Sequence, residues 1–281
     1  MKIGKYEIHP IETGRFRLDG GAMFGVVPRP LWERTNQADE RNRIELAARP
    51  MLIVGNERRI LVDNGNGSKL GDKLIDIYGV DTSKSDLFSS LAKLGLKPQD
   101  VTDVIITHLH FDHAGGSTIR EAGKLVPTFP NAKYYVQKGQ WEQATNPTEK
   151  DRASYMPDDF IPLQQHGVLE LLDGEGELFP QIEIIVANGH TASQQLVKIS
   201  DGTNTVLYCC DLIPTTSHIP LPYIMAYDLR PLTTLKEKRN ILARASEERW
   251  ILFFEHDPKT ATGTVRATDR GFALDKPVEI A

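Results

Sequence analysis

The chain contains little cysteine: only Cys209 and Cys210 among 281 residues. Adjacent cysteines rarely form a disulfide bond with each other, and two cysteines cannot build a disulfide framework. We therefore expect both to be packing residues in a core strand. The alternative is that Cys210, next to Asp211, tunes a neighbouring metal site.

Long apolar runs and an excess of charge of one sign are also missing. No apolar stretch approaches the ~18 residues that a membrane-spanning helix needs, and residues 1–7 carry no apolar signal-peptide segment. Lysine and arginine total 33 against 38 aspartate and glutamate, a net charge of −5, and the basic residues are scattered. These absences disfavour membrane and nucleic-acid partners and predict a cytoplasmic location.

Internal repeats and low-complexity linkers are absent as well. At 281 residues the chain is longer than most single domains, but α/β enzymes often keep one core at this size. Its composition is that of an ordinary globular protein, with enough apolar residues for a substantial core. We therefore expect one domain over residues 1–281.

The most informative segment is residues 107–116, Thr-His-Leu-His-Phe-Asp-His-Ala-Gly-Gly, which follows an apolar run at 104–106. It contains four potential metal ligands within six positions: His108, His110, Asp112 and His113. In one extended strand the first three would share a face, because side chains alternate with period two. A turn in the middle, which the two glycines tolerate, would instead let the last two face a second ion.

Three other predicted buried strands end in the same chemistry, with His190, Asp211 and His256 each following a hydrophobic run. Zinc-type ions take three to four protein ligands, mainly imidazole nitrogen and carboxylate oxygen, so residues 108–113 alone cannot complete two ions. A single histidine is more often an ordinary core or surface residue, but four strand ends with one chemistry favour a metal site. Three histidines lack this context and are not assigned as ligands: His9, His166 and His218.

The order His-x-His-x-Asp-His, Gly-His, Asp and His resembles the metallo-β-lactamase-fold hydrolase superfamily. Asp63, which ends the apolar run 60–62, resembles the family's first motif, a strand-end aspartate that braces the ligand loop. The resemblance covers about residues 45–258, with all five motifs in the family's order. After His190 the chain reads Thr-Ala-Ser-Gln where the family often has Thr-Pro-Gly-His, so it departs from the family in the stiffness of that loop.

The resemblance implies two divalent metal ions as cofactors, zinc first, with manganese, cobalt and iron as alternatives. One ion would be held by His108, His110 and His190, and the other by Asp112, His113 and His256, with Asp211 bridging them. A hydroxide shared by two such ions forms near pH 7 and attacks a polarised substrate, so hydrolysis is the expected reaction. Asp112 is also a catalytic candidate, since it could pass a proton to the leaving group.

The hydrophobic pattern places strands and helices in two alternating blocks. It predicts β-rich segments at 3–18 and 44–63, a helix from Ser85 to Gly95, helices opening near Gly116 and Gly139, strands at about 183–187, 196–200 and 205–210, and a helix at about 233–247. Two such blocks imply an α/β fold with a four-layer αββα sandwich, as the resemblance does. The ligands would then meet at one edge, in an open rather than a buried site.

Two apolar stretches rich in glycine or proline, residues 20–28 and 220–225, are hard to place in a sheet. They are either core or dimer contacts or an apolar wall above the metals. The second interpretation, together with the position of the aromatic residue inside the ligand loop, gives the substrate-binding candidates Met23, Phe24, Phe111, Tyr223 and Met225.

Within the superfamily, residues 23–28 and 211–216 resemble the branch of N-acyl homoserine lactone lactonases and organophosphate triesterases. Many of those lactonases carry a tyrosine three residues after the bridging aspartate, where it donates a hydrogen bond to the substrate carbonyl. This chain has Pro214 there. Tyr223, or else Tyr227, is therefore the candidate donor, and Tyr223 is included as a catalytic candidate.

The sequence thus predicts a binuclear metal-dependent hydrolase acting on a small-molecule lactone or ester, most of all a lactonase that opens N-acyl homoserine lactones. An organophosphate triesterase or arylesterase on the same site is the alternative. An iron-dependent oxidoreductase is the alternative of another class, and a homodimer is left open. A β-lactamase is disfavoured because its known types place cysteine or serine at the position of Asp211.

Overall fold

The computed structural model describes residues 1–280, over which eighteen strands and eight α-helices are assigned. The strands are β1 (Lys2–Ile3), β2 (Tyr6–Pro10), β3 (Arg15–Asp19), β4 (Arg43–Ala47), β5 (Met51–Gly55), β6 (Arg58–Val62), β7 (Asp103–Ile105), β8 (Thr118–Glu121), β9 (Lys124–Pro127), β10 (Lys133–Gln137), β11 (Leu169–Leu172), β12 (Gly176–Phe179), β13 (Ile182–Ala187), β14 (Gln194–Ser200), β15 (Thr205–Tyr208), β16 (Ile251–Phe253), β17 (Thr262–Thr268) and β18 (Gly271–Pro277). The helices are α1 (Gly20–Phe24), α2 (Arg29–Trp32), α3 (Asp72–Tyr78), α4 (Leu87–Lys93), α5 (Phe111–Ala114), α6 (Lys138–Thr145), α7 (Pro157–Gln165) and α8 (Pro231–Glu247).

Fourteen of these strands form two seven-stranded sheets. The first has the order β1-β2-β5-β6-β7-β10-β11 and the second the order β12-β13-β14-β15-β16-β17-β18. Strand β6 runs parallel to β7, and β15 runs parallel to β16. Since parallel neighbours end at the same edge of a sheet, the segments that follow each of these pairs lie side by side.

Side chains on the first sheet alternate between two cores. In β5, Met51 and Ile53 belong to the core between the two sheets, whereas Leu52 belongs to the core beneath α4, α6 and α7. On the outer face of the second sheet, α8 packs through Ile241 and Leu242. The layers are therefore helix, sheet, sheet, helix, and the predicted four-layer αββα sandwich is confirmed.

The predicted helix that follows Ser85 is confirmed as α4. The carboxylate of Asp86 accepts hydrogen bonds from the backbone N–H groups of Phe88 and Ser89, and Gly95 follows the helix with φ +73°. This combination of an N-terminal acceptor and a left-handed glycine is what starts and stops a helix.

The predicted helix near Gly116 is wrong. Residues 115–117 form one short 3₁₀ turn, and the chain then enters β8, which pairs with β9. The β-branched residues Thr118 and Ile119 fit a pleated strand better than a helix, and Gly123, with φ +80°, supports the turn back.

Both cysteines pack in the core, fully buried and free of disulfide bonds, but they follow the end of β15 and do not lie in a strand as predicted. Over residues 1–280, every helix is too short or too polar to cross a bilayer.

Candidate metal centre

The seven predicted ligands converge at one edge of the sandwich. They come from the loops after β7, β13, β15 and β16, and their exposed fractions lie between 0 and 8%. The ligand side chains are therefore almost fully buried, and the open site stays a prediction.

Imidazole nitrogens face one another in the first group of ligands. His110 Nδ1 lies 3.0 Å from His108 Nε2 and 3.2 Å from His190 Nε2. Nitrogens bound to one tetrahedral zinc ion at 2.0–2.1 Å would lie about 3.3 Å apart. The spacing of these three nitrogens thus fits a shared cation.

The second group contains His113, His256 and Asp112. The two Nε2 atoms lie 3.2 Å apart, and Asp112 Oδ2 lies 3.8 Å from each of them. This donor set again combines imidazole nitrogen with carboxylate oxygen, which suits zinc and related divalent ions.

Asp211 lies between the two groups. Its Oδ2 is 3.1 Å from His190 Nε2, and its Oδ1 is 3.2 Å from His256 Nε2. Oδ1 is buried and has no hydrogen-bond partner within residues 1–280. One carboxylate oxygen is therefore available to each cation position, which is the geometry of a bridging ligand.

The far nitrogen of four of the five ligand imidazoles is held by a hydrogen bond, whereas Nε2 of His110 is buried without a partner within residues 1–280. The Nδ1–H groups of His190 and His256 donate to Asp228 Oδ1 and to the Ala47 carbonyl, both at 2.8 Å. Such bonds fix the tautomer and leave Nε2 free to bind a cation. Neither acceptor carries a sequence signal, since each meets its histidine only in the folded chain.

Asp63 braces the ligand loop as the resemblance implies. Its carboxylate accepts hydrogen bonds from Thr107 N and Thr107 Oγ1, both at 2.7 Å, and from His113 Nδ1 at 3.0 Å. Asp63 has φ +59°, which is uncommon for a residue other than glycine and turns the chain sharply after β6.

Two further groups lie behind the ligands: Glu255, which was not predicted from the sequence, and Cys210, whose role was left open. Glu255 is fully buried with Oε2 3.1 Å from His113 Nδ1, and burial raises its pKa to about 7. Cys210 Sγ lies 2.9 Å from Thr107 Oγ1 and 3.5 Å from His108 Nδ1. Burial raises the pKa of Cys210 above its ordinary value, so this group is a neutral thiol at neutral pH.

The metal-free site holds protons on two of the proposed ligands. Burial alone would lower the pKa of His190 and of His256, but Asp211, together with Asp228 beside His190 and Glu255 beside His256, raises both to about 9. Burial alone would raise the pKa of Asp211, but the surrounding histidines hold it well below its usual range. An anionic carboxylate thus lies among imidazoles that carry exchangeable protons.

These pKa values predict that metal binding releases protons. Below pH 9, His190 and His256 are protonated in the metal-free protein and must each lose a proton to bind a cation, so metal affinity should rise with pH up to about 9. Calorimetric titration of zinc at pH 7.5 in buffers of different ionisation enthalpy measures the protons released. Enthalpies that do not depend on the buffer would contradict this prediction.

A small cavity of about 80 Å³ lies over the ligands, with Met23, Phe111, Met225, Tyr78 and Tyr227 in its wall. Three of these are predicted substrate-binding residues, whereas the two tyrosines were not in that set. The Tyr78 ring stacks on Phe111 with centroids 4.5 Å apart. The cavity therefore has an aromatic and thioether wall facing the candidate metals.

Phe24 and Tyr223 are not in that wall, which corrects two of the predicted substrate contacts. Phe24 is fully buried and stacks between Trp32 and His218, with Tyr223 against its edge at 5.9 Å. His218 in turn donates from Nε2 to the Met23 carbonyl at 2.8 Å, so this layer supports the wall from behind.

Comparison with known sequences gives one family and several relatives. Residues 46–256 match the model of the Metallo-beta-lactamase superfamily. An N-acyl homoserine lactonase of Bacillus thuringiensis is 26% identical over 260 residues, which cover 89% of this chain and 93% of that protein. An N-acyl homoserine lactonase AttM of Rhizobium johnstonii is 24% identical over 74% of this chain and 80% of its own.

Two solved structures extend this comparison. A probable metal-dependent hydrolase from Staphylococcus aureus is 32% identical and superposes with a TM-score of 0.90, covering 99% of this chain and 98% of that one. AidC, described as a dizinc quorum-quenching lactonase in complex with its product N-hexanoyl-L-homoserine, is 21% identical with a TM-score of 0.82, covering 99% and 96%. At that identity AidC shows the shared fold alone.

Proposed function

Because the chain belongs to the metallo-beta-lactamase superfamily and is a metal-dependent hydrolase, we propose that it uses two divalent cations to open lactones of the N-acyl homoserine type. The observation that carries the two-cation proposal is the position of Asp211, with one oxygen toward each group of histidines. The substrate class is supported by the lactonase names of the relatives.

The donor set fits two zinc-type ions. One would be held by His108, His110 and His190, the other by Asp112, His113 and His256, with Asp211 shared between them. Bound there, two divalent cations supply Lewis-acid activation of water and of the substrate's carbonyl. The chain's own side chains then have to bind, orient and protonate the substrate.

Asp112 is placed to handle a proton, because its carboxylate lines the cavity as well as facing His113 and His256. Opening a lactone leaves an alkoxide oxygen that needs a proton. A carboxylate at this position can take a proton from the attacking water and pass it to that oxygen.

Tyr227 is the better candidate for binding the substrate carbonyl. It lines the cavity, and its side chain makes no hydrogen bond within the described residues 1–280. Burial, with the charges of Asp19 and Asp112, raises its pKa, so the hydroxyl stays protonated as a donor. A donor aimed at a developing oxyanion contributes most in a water-poor cavity.

We expect Tyr227→Phe to lower kcat/KM for a lactone by about 100- to 1,000-fold while metal content is unchanged, since a single hydrogen-bond donor to the oxyanion is lost. The matched control is Tyr223→Phe, because Tyr223 packs on Phe24 and lies outside the cavity wall. Steady-state kinetics of both variants check this. If the two substitutions have equal effects, neither tyrosine is the hydrogen-bond donor to the substrate carbonyl.

The proposed substrate class is tested by a pH-indicator screen of metal-reconstituted protein. The panel contains acyl homoserine lactones of several chain lengths, simple lactones, aryl esters and a phosphotriester. The proposal expects the highest kcat/KM on a lactone and loss of activity on chelation. A higher kcat/KM on the phosphotriester or aryl ester would show a triesterase or arylesterase and not a lactonase. One redox-active iron without hydrolysis would favour an oxidoreductase.

A further inference from the structure

A buried lysine lies directly behind the loop that carries Asp112 and His113. Lys69 follows β6, its side chain is 7% exposed, and its Nζ donates to the carbonyls of Gly115 and Thr118, both at 2.5 Å. Gly115 is only two residues beyond His113. This ammonium group therefore holds the backbone just after two of the proposed ligands.

The third donor of Lys69 is also used. Its Nζ lies 3.0 Å from Oδ1 of Asp159, a residue of α7 that is 6% exposed. Burial raises the pKa of Asp159 to about 6 even though Lys69 opposes the shift, so this carboxyl is ionised at neutral pH. A lysine ammonium has three donors, and here two carbonyls and one carboxylate satisfy all of them.

The backbone around Gly115, which Lys69 holds, is tightly packed. A Cβ atom added at Gly67 would fall 2.0 Å from the Gly115 carbonyl oxygen, and one added at Gly115 would fall 2.3 Å from the Asn66 carbonyl oxygen. The backbone before Lys69 and the backbone after His113 are thus in direct contact. The ammonium joins these two segments to α7.

The other ligand loop is held by a group of opposite charge. Glu237 of α8 accepts hydrogen bonds from Asn188 N at 2.8 Å and from Gly189 N at 3.0 Å, just before His190. Gly189 also packs tightly on α8, because a Cβ there would lie 2.3 Å from Thr234 N. The Glu237 carboxylate thus holds the backbone next to His190, as the Lys69 ammonium holds the backbone next to Asp112 and His113.

We propose that Lys69, held by Asp159, and Glu237 are positioning residues that each set the affinity of a different one of the two cation positions. Lys69 would govern the position of Asp112, His113 and His256, and Glu237 that of His108, His110 and His190. This rests on the two-cation function proposed above. Groups that orient metal ligands commonly change metal affinity by about 10- to 100-fold, because an unrestrained ligand must be ordered on binding.

The test compares metal retention in three variants. Lys69→Met/Asp159→Leu removes the whole buried pair, so that no unpaired charge is left in the core. Glu237→Ala removes the second brace from the helix surface. The matched control is Lys198→Met/Glu183→Leu, an ion pair between β13 and β14 with a 2.8 Å contact.

After dialysis against a weak chelator, the first two variants should each retain about one zinc equivalent where the parent and the control retain two, a fall of about 10- to 100-fold in one affinity. Thermal unfolding of the metal-free forms monitors folding. If the double variant does not fold, Asp159→Asn takes its place with a smaller expected loss of the same ion.

Ligand substitutions identify which ion is lost. In a His256→Ala background, Lys69→Met/Asp159→Leu should cause no further loss of metal, whereas in a His190→Ala background it should remove the remaining ion. Glu237→Ala should remove the remaining ion in the His256→Ala background and cause no further loss in the His190→Ala background. If Lys69→Met/Asp159→Leu and Glu237→Ala, made without a ligand substitution, both retain two zinc equivalents with unchanged affinity, this inference is overturned and the two-cation function is not. A parent that binds fewer than two equivalents would overturn the two-cation function itself.

Discussion

Asp211→Ala should abolish hydrolysis, lowering kcat/KM by more than about 1,000-fold. The reason is that both cation positions lose a ligand at once, and loss of a mere supporting group around one metal already costs about 10- to 100-fold. His110→Ala should have a similar effect through the first position. Metal content by mass spectrometry and initial rates on the best substrate of the panel measure both consequences together.

The control for this experiment is Asp103→Ala. Asp103 is also buried, but it lies at the start of β7, five residues before His108, where it pairs with Arg58 at 2.9 Å. It should cost stability and leave the metal content of the folded protein unchanged. Two retained cations and full activity in Asp211→Ala would end the bridging assignment.

Asp63→Asn is the second substitution with a large expected effect. An amide nitrogen would replace one of the two oxygens that accept hydrogen bonds from Thr107 and His113, so one of these donors would face another donor. We expect metal affinity to fall by about 10- to 100-fold. The free energy of unfolding should fall by about 1–3 kcal/mol, because a buried donor is left without an acceptor.

Competition with a coloured chelator measures that affinity, and urea denaturation of the metal-free protein measures stability. Asp103→Asn is the matched change of a buried strand aspartate and should lower stability without changing affinity. If Asp63→Asn binds metal as tightly as the parent, then Asp63 supports the fold and does not support the metal ligands.

The ligand positions and most strands could be predicted because their signals are local. Each proposed ligand follows an apolar run, and a run of buried residues that ends in histidine or aspartate is visible within about six positions of the sequence. The parallel pairing of β6 with β7 and of β15 with β16 then brings those ends to one edge. Here local pattern and topology agree.

The groups behind and above the ligands could not be predicted in the same way. Asp228 meets His190 across 38 positions, and the Ala47 carbonyl meets His256 across 209. Tyr223 and Tyr227 lie in one irregular loop, and only its backbone path decides which of them reaches the cavity. Neither periodicity nor composition reports such a path.

The local signals also misled at two places. A helix was predicted to open near Gly116, whereas Gly115 and Gly116 let the ligand loop lie against the backbone of Asn64 and Asn66, the close approach expected of these glycines. The hairpin of β17 and β18 was not predicted, although β17 pairs with β16, the strand that leads to His256. It completes the second sheet beyond that strand.

Anomalous diffraction from crystals of the zinc-loaded protein would show whether seven side chains hold two cations around Asp211. We expect two peaks about 3.5–4 Å apart, one within bonding distance of His108, His110 and His190, the other of Asp112, His113 and His256. A single peak, or peaks away from these side chains, would contradict it.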